Sequence, residues 1–350
     1  MNIALIPGDG VGPEVLAEAC KALEVLQRRF HLPIALQTYD IGAARYLATG
    51  EVLPDSVQQE LARHDAILFG AIGSPDVPPG VLERGLLLKL RFDFNQYINY
   101  RPVRLYPGVQ CPLAGKTPAD VDFVVIRENS EDLYVGRGEW TGQGTPDETA
   151  IQYSVNTRRA IERTVRYACD IAMTRPRKQL HFVGKTNVLT IGHKLWQQVF
   201  DEVLGAYPQV KPLYHHVDAC CIHMVRNPGQ YDVIVTPNMF GDIITDLGAA
   251  IQGGLGIPAS GNLNPPRQYP SMFEPIHGSA PDIAGQGKAN PVAACFSLAM
   301  MLDFLGHPQP ARALHDAVAD LLAEGRIRTP DLGGTSSTAQ VGDAIAQKLA

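Results

Sequence analysis

Gly8-Asp9-Gly10-Val11-Gly12-Pro13, directly after the apolar run Ile3-Ala4-Leu5-Ile6, decides which kind of α/β fold this chain adopts. Glycine-rich turns between a strand and a helix cradle pyrophosphates in Rossmann domains through free backbone N–H groups. That use requires GxGxxG, whereas the spacing here is GxGxGP. Pro13 suits the start of a helix, where its missing N–H costs nothing. Val15, Leu16, Ala19, Ala22, Leu23 and Leu26 then recur at helical spacing. The turn is expected to join a strand to an amphipathic helix without holding a dinucleotide.

Outward from it, short β-rich runs recur at Ala66-Ile67-Leu68-Phe69, Phe123-Val124-Val125-Ile126, His181-Phe182-Val183 and Val233-Ile234-Val235. Their alternation with amphipathic segments reads as α/β, with sites expected where the strands end. A chain of 350 residues, 45% hydrophobic, is long enough for two cores. The net charge of -6 includes no basic run able to neutralise a phosphate backbone, which argues against nucleic acid. No apolar stretch approaches the ~20 residues that cross a bilayer, so a cytoplasmic protein without a membrane partner is expected. Cys20, Cys111, Cys169, Cys220, Cys221 and Cys295 show no CxxC spacing, and a vicinal Cys220–Cys221 disulfide would be strained. Reduced thiols are expected.

Three arginines suggest an acidic small molecule. Arg91 and Arg101 stand ten apart, and Arg127 follows an apolar strand. Guanidinium forks bind carboxylates bidentately, so a cluster of them suits a di- or tricarboxylate, although a single arginine is more often a solvated surface group. Asp242 and Asp246 are four apart, hence on one helix face, where like charges repel unless a cation lies between them. Oxygen ligands select Mg²⁺ or Mn²⁺ over zinc. Adjacent His215 and His216 point apart on either regular element and are not read as a zinc pair. In Phe273-Glu274-Pro275-Ile276-His277-Gly278-Ser279-Ala280-Pro281-Asp282-Ile283-Ala284-Gly285, glycine and proline punctuate a polar loop of the kind that binds ligands. Its Asp282 suits the hydroxyls of an adenosine ribose and repels a 2′-phosphate.

This loop, together with Arg127-Glu128-Asn129-Ser130-Glu131-Asp132-Leu133-Tyr134, Val183-Gly184-Lys185-Thr186-Asn187-Val188 and Asn238-Met239-Phe240-Gly241-Asp242-Ile243-Ile244-Thr245-Asp246-Leu247, resembles the decarboxylating β-hydroxyacid dehydrogenases. That family contains isopropylmalate, isocitrate, homoisocitrate and tartrate/D-malate dehydrogenases, and the resemblance covers nearly the whole chain. It implies an isopropylmalate dehydrogenase-like two-domain fold with a mixed sheet, not a Rossmann fold. The first domain would be discontinuous, 1–98 plus 250–350. Residues 99–249 would be an inserted domain carrying substrate, metal and dimer contacts, with the site in a cleft between the two.

The resemblance also implies roles. Arg91, Arg101 and Arg127 would bind substrate carboxylates; Tyr134 and Lys185 would be catalytic; Asp218, with Asp242 and Asp246, would bind metal, Asp218 also aiding Lys185. Glu274, His277, Gly278, Ser279, Ala280, Asp282, Ile283 and Asn290 would bind NAD. Lys185 and Asp218 would act in the neighbouring subunit of a homodimer. The reaction implied oxidises C2 of a (2R)-malate unit by hydride transfer to NAD⁺, releases CO₂ and reprotonates carbon from Tyr134.

Members differ in what faces the C3 substituent. Leu87, Leu88 and Val188 would give an apolar lining like that of isopropylmalate dehydrogenases, the best single expectation. Gln96-Tyr97-Ile98-Asn99, Arg101-Pro102-Val103-Arg104-Leu105-Tyr106-Pro107-Gly108 and Asn262-Leu263-Asn264-Pro265 look more like tartrate/D-malate dehydrogenases. Arg84 stands where isopropylmalate enzymes carry Glu, and could face an extra acidic group as in isocitrate or homoisocitrate. A non-catalytic regulatory subunit is the alternative of another class, against which stands the full set of reactive residues.

Overall fold

The computed structural model describes residues 1–350. Its strands are β1 (Asn2–Gly8), β2 (Ala35–Thr38), β3 (Ala66–Ala71), β4 (Ile98–Arg104), β5 (Asp122–Glu128), β6 (Gly138–Thr141), β7 (Thr149–Gln152), β8 (Gln179–Gly184), β9 (Lys211–His216), β10 (Val233–Thr236), β11 (Ala259–Leu263) and β12 (Ser271–Pro275). The helices are α1 (Gly12–Phe30), α2 (Ala43–Thr49), α3 (Asp55–Leu61), α4 (Lys89–Asp93), α5 (Arg158–Thr174), α6 (Gly192–Leu204), α7 (Val217–Arg226), α8 (Asn238–Ile251), α9 (Val292–Phe304), α10 (Pro308–Glu324) and α11 (Thr338–Leu349). None is long and apolar enough to cross a membrane. All six cysteines are free thiols.

The chain divides into two compact units. The first comprises Met1–Gln96, Arg101–Val121 and Ala249–Ala350; the second comprises Tyr97–Tyr100 and Asp122–Gly248. Residues 101–121, expected in the inserted domain, belong with the first unit for local reasons. Leu105 N–H donates to Val121 O at 3.0 Å, Arg104 N–H donates to Gln252 Oε1 at 3.1 Å, and the Tyr106 ring stacks on Phe296 at 4.8 Å.

In the first unit the strands run in the order β2-β1-β3-β12-β11. The β2-β1-β3-β12 pairings are parallel and β11 is antiparallel to β12, so the sheet is mixed. With β1 between β2 and β3, the order departs from the Rossmann 3-2-1-4 sequence. Three amides of the Gly8–Gly12 turn are occupied: Asp9 N–H donates to Ala71 O at 2.8 Å, Val11 N–H to Ser279 O at 2.8 Å and Gly12 N–H to Asp9 O at 3.0 Å. Gly10 has φ +57, and a Cβ there would stand 1.9 Å from Ser279 O. The glycines thus let this turn seat the 276–285 loop rather than a pyrophosphate.

Pro13 lies in the first turn of α1, one residue later than expected because Gly12 opens the helix. The inward stripe of α1 is fully removed from water. Helix α9, buried almost all round, packs against α1, α10 and strands β11 and β12. Its one buried hydroxyl, Ser297 Oγ, is satisfied by Ala293 O at 2.8 Å.

The second unit holds a parallel sheet ordered β5-β10-β8-β9. Helices α5 and α6 pack against each other and reach the sheet through β5, β8 and β10. Helix α5 starts at Thr157, whose side chain accepts Ala160 N–H at 3.2 Å, as a threonine N-cap should. Strands β6 and β7 form a separate antiparallel pair.

Candidate active site

In the second unit, β5 delivers Arg127 to the first turns of α8. Its side chain is 1% exposed, and Nε donates to Asn238 Oδ1 at 2.9 Å while Nη1 pairs with Asp242. The close approach depends on Gly241, because a Cβ there would meet Arg127 Cγ at 2.5 Å. Tyr134 completes the group, its hydroxyl donating to Asp242 Oδ2 at 2.6 Å and its ring lying 5.0 Å from the Arg127 guanidinium carbon. Arg127 Nη2 is buried without a protein partner. A buried guanidinium nitrogen left over in this way fits a ligand carboxylate.

Asp246 follows one turn after Asp242 on the same exposed side of α8. Two aspartates here match an oxygen-ligated divalent cation. Asp218, at the start of α7, does not join them: no group of three metal-capable side chains forms within one chain. It pairs instead with Lys185, whose Nζ lies 2.6 Å from Asp218 Oδ1. That hydrogen bond holds the Asp218 carboxyl below its usual range. Lys185 is fixed at its backbone, where N–H donates to His193 Nδ1 at 2.9 Å. Burial pushes His193 below the ordinary histidine range, so it serves as a neutral acceptor. Beyond Lys185, Val188 and Ile191 are 65% and 88% exposed. His215 and His216 point apart as expected, His215 Nδ1 meeting Tyr231 Oη and His216 Nδ1 meeting Tyr214 Oη, both at 2.9 Å.

In the first unit, Arg91 on α4 is buried and its Nη2 donates to Glu274 Oε1 at 3.3 Å. Glu274, expected on the cofactor, is thereby committed to Arg91 and to Asn262, whose Nδ2 donates to the same oxygen at 2.7 Å. Arg101 is buried on β4. Leu87 and Leu88 lie half-buried in a π-helical turn, Glu83–Leu88, and Leu87 packs partly on the core around Leu86 and Leu90. Such turns are frequent at functional sites. Arg84 in the same turn is exposed.

The loop after β12 leaves one buried ring nitrogen without a protein partner. His277 Nδ1 lies 2.9 Å from Gly278 O and must donate to it, while Nε2 is buried with no partner. Burial keeps the ring below the usual histidine range, so Nε2 is an unprotonated acceptor suited to an N–H or O–H donor. Gly278 is exposed, Ser279 is held through its carbonyl by Val11 N–H, and Ala280 takes the left-handed φ of 41. Ile283 N–H donates to Ala280 O at 3.1 Å, closing a turn that leaves the Asp282 side chain exposed. The side chain of Asn290, a residue expected to bind NAD, is engaged within the protein: Nδ2 donates to Asp331 Oδ2 at 3.0 Å and Oδ1 accepts Val292 N–H at 3.1 Å.

Asn238, His193, Gly241 and Asp331 were not singled out from the sequence. Asn238 had a signal, a cap-type residue opening an amphipathic helix; Gly241 and Asp331 act through contacts distant in sequence, and His193 reaches back eight residues to the Lys185 backbone.

The profile described as isocitrate/isopropylmalate dehydrogenase matches residues 2–345. A Thermobifida fusca protein named 3-isopropylmalate dehydrogenase is 55% identical over 350 residues, covering 100% of this chain and 98% of its own. The Nocardia farcinica protein of the same name is 54% identical, covering 99% of each chain. Among solved structures, isocitrate dehydrogenase from Methylococcus capsulatus superposes with a TM-score of 0.89 at 35% identity, covering 99% of both chains. Fold and comparisons together make the chain a dehydrogenase of the two-unit, non-Rossmann kind. It belongs to the isocitrate/isopropylmalate dehydrogenase family.

Proposed function

We propose that the chain oxidises and decarboxylates 3-isopropylmalate with NAD⁺ as hydride acceptor. The observation that carries this reading is the Arg127–Asp242–Tyr134 group, a cation, an acid and a proton donor on one helix end, in a chain more than half identical to proteins bearing that enzyme's name. A Mg²⁺ or Mn²⁺ ion held by Asp242 and Asp246 with the partner subunit's Asp218 would supply Lewis acidity to the C2 hydroxyl. Arg91, Arg101 and Arg127 bind the two carboxylates of the malate unit, the leftover Nη2 of Arg127 taking one oxygen. Lys185 accepts the hydroxyl proton as hydride leaves C2. Tyr134, its hydroxyl oriented by Asp242, delivers a proton to the carbon from which CO₂ departs. In this reading a homodimer covers the exposed apolar side chains of the second unit, Val188, Ile191, Ile222 and Ile243 among them.

The substituent pocket is assigned to Leu87, Leu88 and Val188. Alkyl contacts there would favour an isopropyl group by about 1–3 kcal/mol per methylene or two. An additional carboxylate, as in isocitrate, would cost several kcal/mol against leucine unless paired. Measuring kcat/KM for 3-isopropylmalate, D-malate, L-tartrate, isocitrate and homoisocitrate under one set of conditions tests the assignment, and 3-isopropylmalate is expected to lead. If isocitrate or homoisocitrate leads, Arg84 serves the site and the apolar pocket is wrong; if D-malate or tartrate leads, the leucines close off an empty space.

NAD⁺ is expected to outperform NADP⁺ because Asp282 would face the 2′-phosphate with a like charge. Like charges about 4 Å apart cost about 1–4 kcal/mol near a surface, or about 5- to 10³-fold in kcat/KM. Asp282→Lys should narrow that ratio. Equal use of both cofactors by the unaltered enzyme would refute the cofactor assignment.

A further inference from the structure

Glu128 touches none of the groups assigned to substrate, cofactor or metal, yet it is a charged side chain only 2% exposed. Its carboxylate turns back on its own chain. Oε1 accepts Ser130 N–H at 2.8 Å and the Ser130 hydroxyl, while Oε2 accepts Glu131 N–H at 2.8 Å. Ser130 Oγ in turn accepts from Arg163 Nη2 at 2.7 Å, and the Arg163 guanidinium lies 4.0 Å from the Tyr97 ring centroid. Asn129 N–H donates to Tyr97 O at 3.1 Å. The backbone just after β5 is thus pinned from two sides.

Had β5 continued as a strand, Tyr134 would stand about 23 Å beyond Arg127 at ~3.3 Å per residue. Instead its ring lies 5.0 Å from the Arg127 guanidinium carbon, and both side chains meet Asp242. Two successive N–H groups directed at one carboxylate impose the reversal that makes this possible. Beyond it, Asn238 Nδ2 donates to Glu131 O at 3.1 Å and Met239 N–H donates to Asp132 Oδ2 at 2.9 Å, docking the reversed segment on α8. Asp132 takes φ 67 within that segment, a strained angle that such docking must maintain.

We propose that Glu128, linked through Ser130 to Arg163, is the positioning residue that folds the chain between Arg127 and Tyr134, so that the phenol is held at the reacting carbon. This rests on the assignment of Tyr134 as proton donor. A displacement of about 1 Å at a reacting group can cost about 10²-fold. Glu128→Gln keeps the shape but turns an amide donor toward backbone N–H groups, so kcat should fall about 10²-fold, with KM for NAD⁺ within about twofold of the unaltered enzyme. Because Glu128 acts through Tyr134, the Glu128→Gln/Tyr134→Phe double variant should be no slower than Tyr134→Phe alone.

Ser130→Ala, which keeps both backbone bonds to Glu128 and removes the hydroxyl that joins its carboxylate to Arg163, should give a smaller loss with the same absence of additivity. It carries the test if circular dichroism finds Glu128→Gln unfolded. Unchanged kcat in the folded variants, or losses that multiply with that of Tyr134→Phe, would overturn the proposal while leaving the role of Tyr134 intact. Full turnover by Tyr134→Phe alone would instead remove the assignment on which the proposal rests, and the proposal with it.

Discussion

Stripping divalent metal with excess chelator is expected to lower turnover by about 10³-fold or more, with Mg²⁺ or Mn²⁺ restoring it. The size follows from the several kcal/mol of charge stabilisation that a Lewis acid contributes, at about 1.4 kcal/mol per tenfold in rate. The cations nearest these carboxylates are already engaged: Arg127 is buried against Asn238 and Asp242, and Lys185 is paired with Asp218. Asp242→Asn should raise the metal concentration needed for half-maximal activity. It should also lower kcat at saturating metal, because Asp242 accepts from both Arg127 and Tyr134. Asp246→Asn, one turn further along α8, is expected to act mainly on the metal requirement. Metal titrations of initial rate, with circular dichroism to confirm folding, separate the two. Full activity after rigorous metal removal would refute the assignment of Asp242 and Asp246.

The sequence carried five of the buried strands but hid others: Phe273–Pro275, read as the start of a loop, instead close the fully buried β12, and β11 gave no apolar run. Ile3–Ile6, Ala66–Phe69, Phe123–Ile126, His181–Val183 and Val233–Val235 all fall within observed strands, since parallel strands sandwiched between helices read as continuous apolar runs. Strands β6, β7 and β9 gave no such signal, being largely exposed. The non-Rossmann turn was legible from spacing, but its purpose was not, because the bond from Val11 to Ser279 joins distant residues. The same limit hid the commitment of Glu274 to Arg91 and of Asn290 to Asp331. No sequence period distinguishes the π-helical turn at Glu83–Leu88 from an ordinary helix start. Residue type and helical spacing pointed to Asp242 and Asp246, whereas Tyr134 and Lys185 were visible only through family resemblance.

Mixing Lys185→Ala protein with Tyr134→Phe protein is expected to restore activity that neither variant has alone. Each substitution removes a proton-transfer group and should cost about 10²- to 10⁴-fold. Within one chain the two halves of the proposed chemistry form separately bonded groups. Tyr134, Arg127 and Asp242 form one group, Lys185 and Asp218 another, and the three aspartates do not assemble into a metal-holding cluster. Lys185 also precedes a segment whose Val188 and Ile191 expose apolar surface that a second copy would cover. In an isologous dimer with shared sites, each heterodimer would pair one intact Lys185 with one intact Tyr134 in a single site and leave the other site doubly defective. Random exchange of equal amounts makes about half the dimers heterodimers, so recovery should approach about one quarter of the unaltered rate. Subunit exchange can be followed independently by mass spectrometry of differently tagged chains. Confirmed heterodimers that remain inactive would mean that Lys185 and Tyr134 serve the same subunit's site, and that the Lys185–Asp218 pair must reorganise within its own chain to reach the substrate.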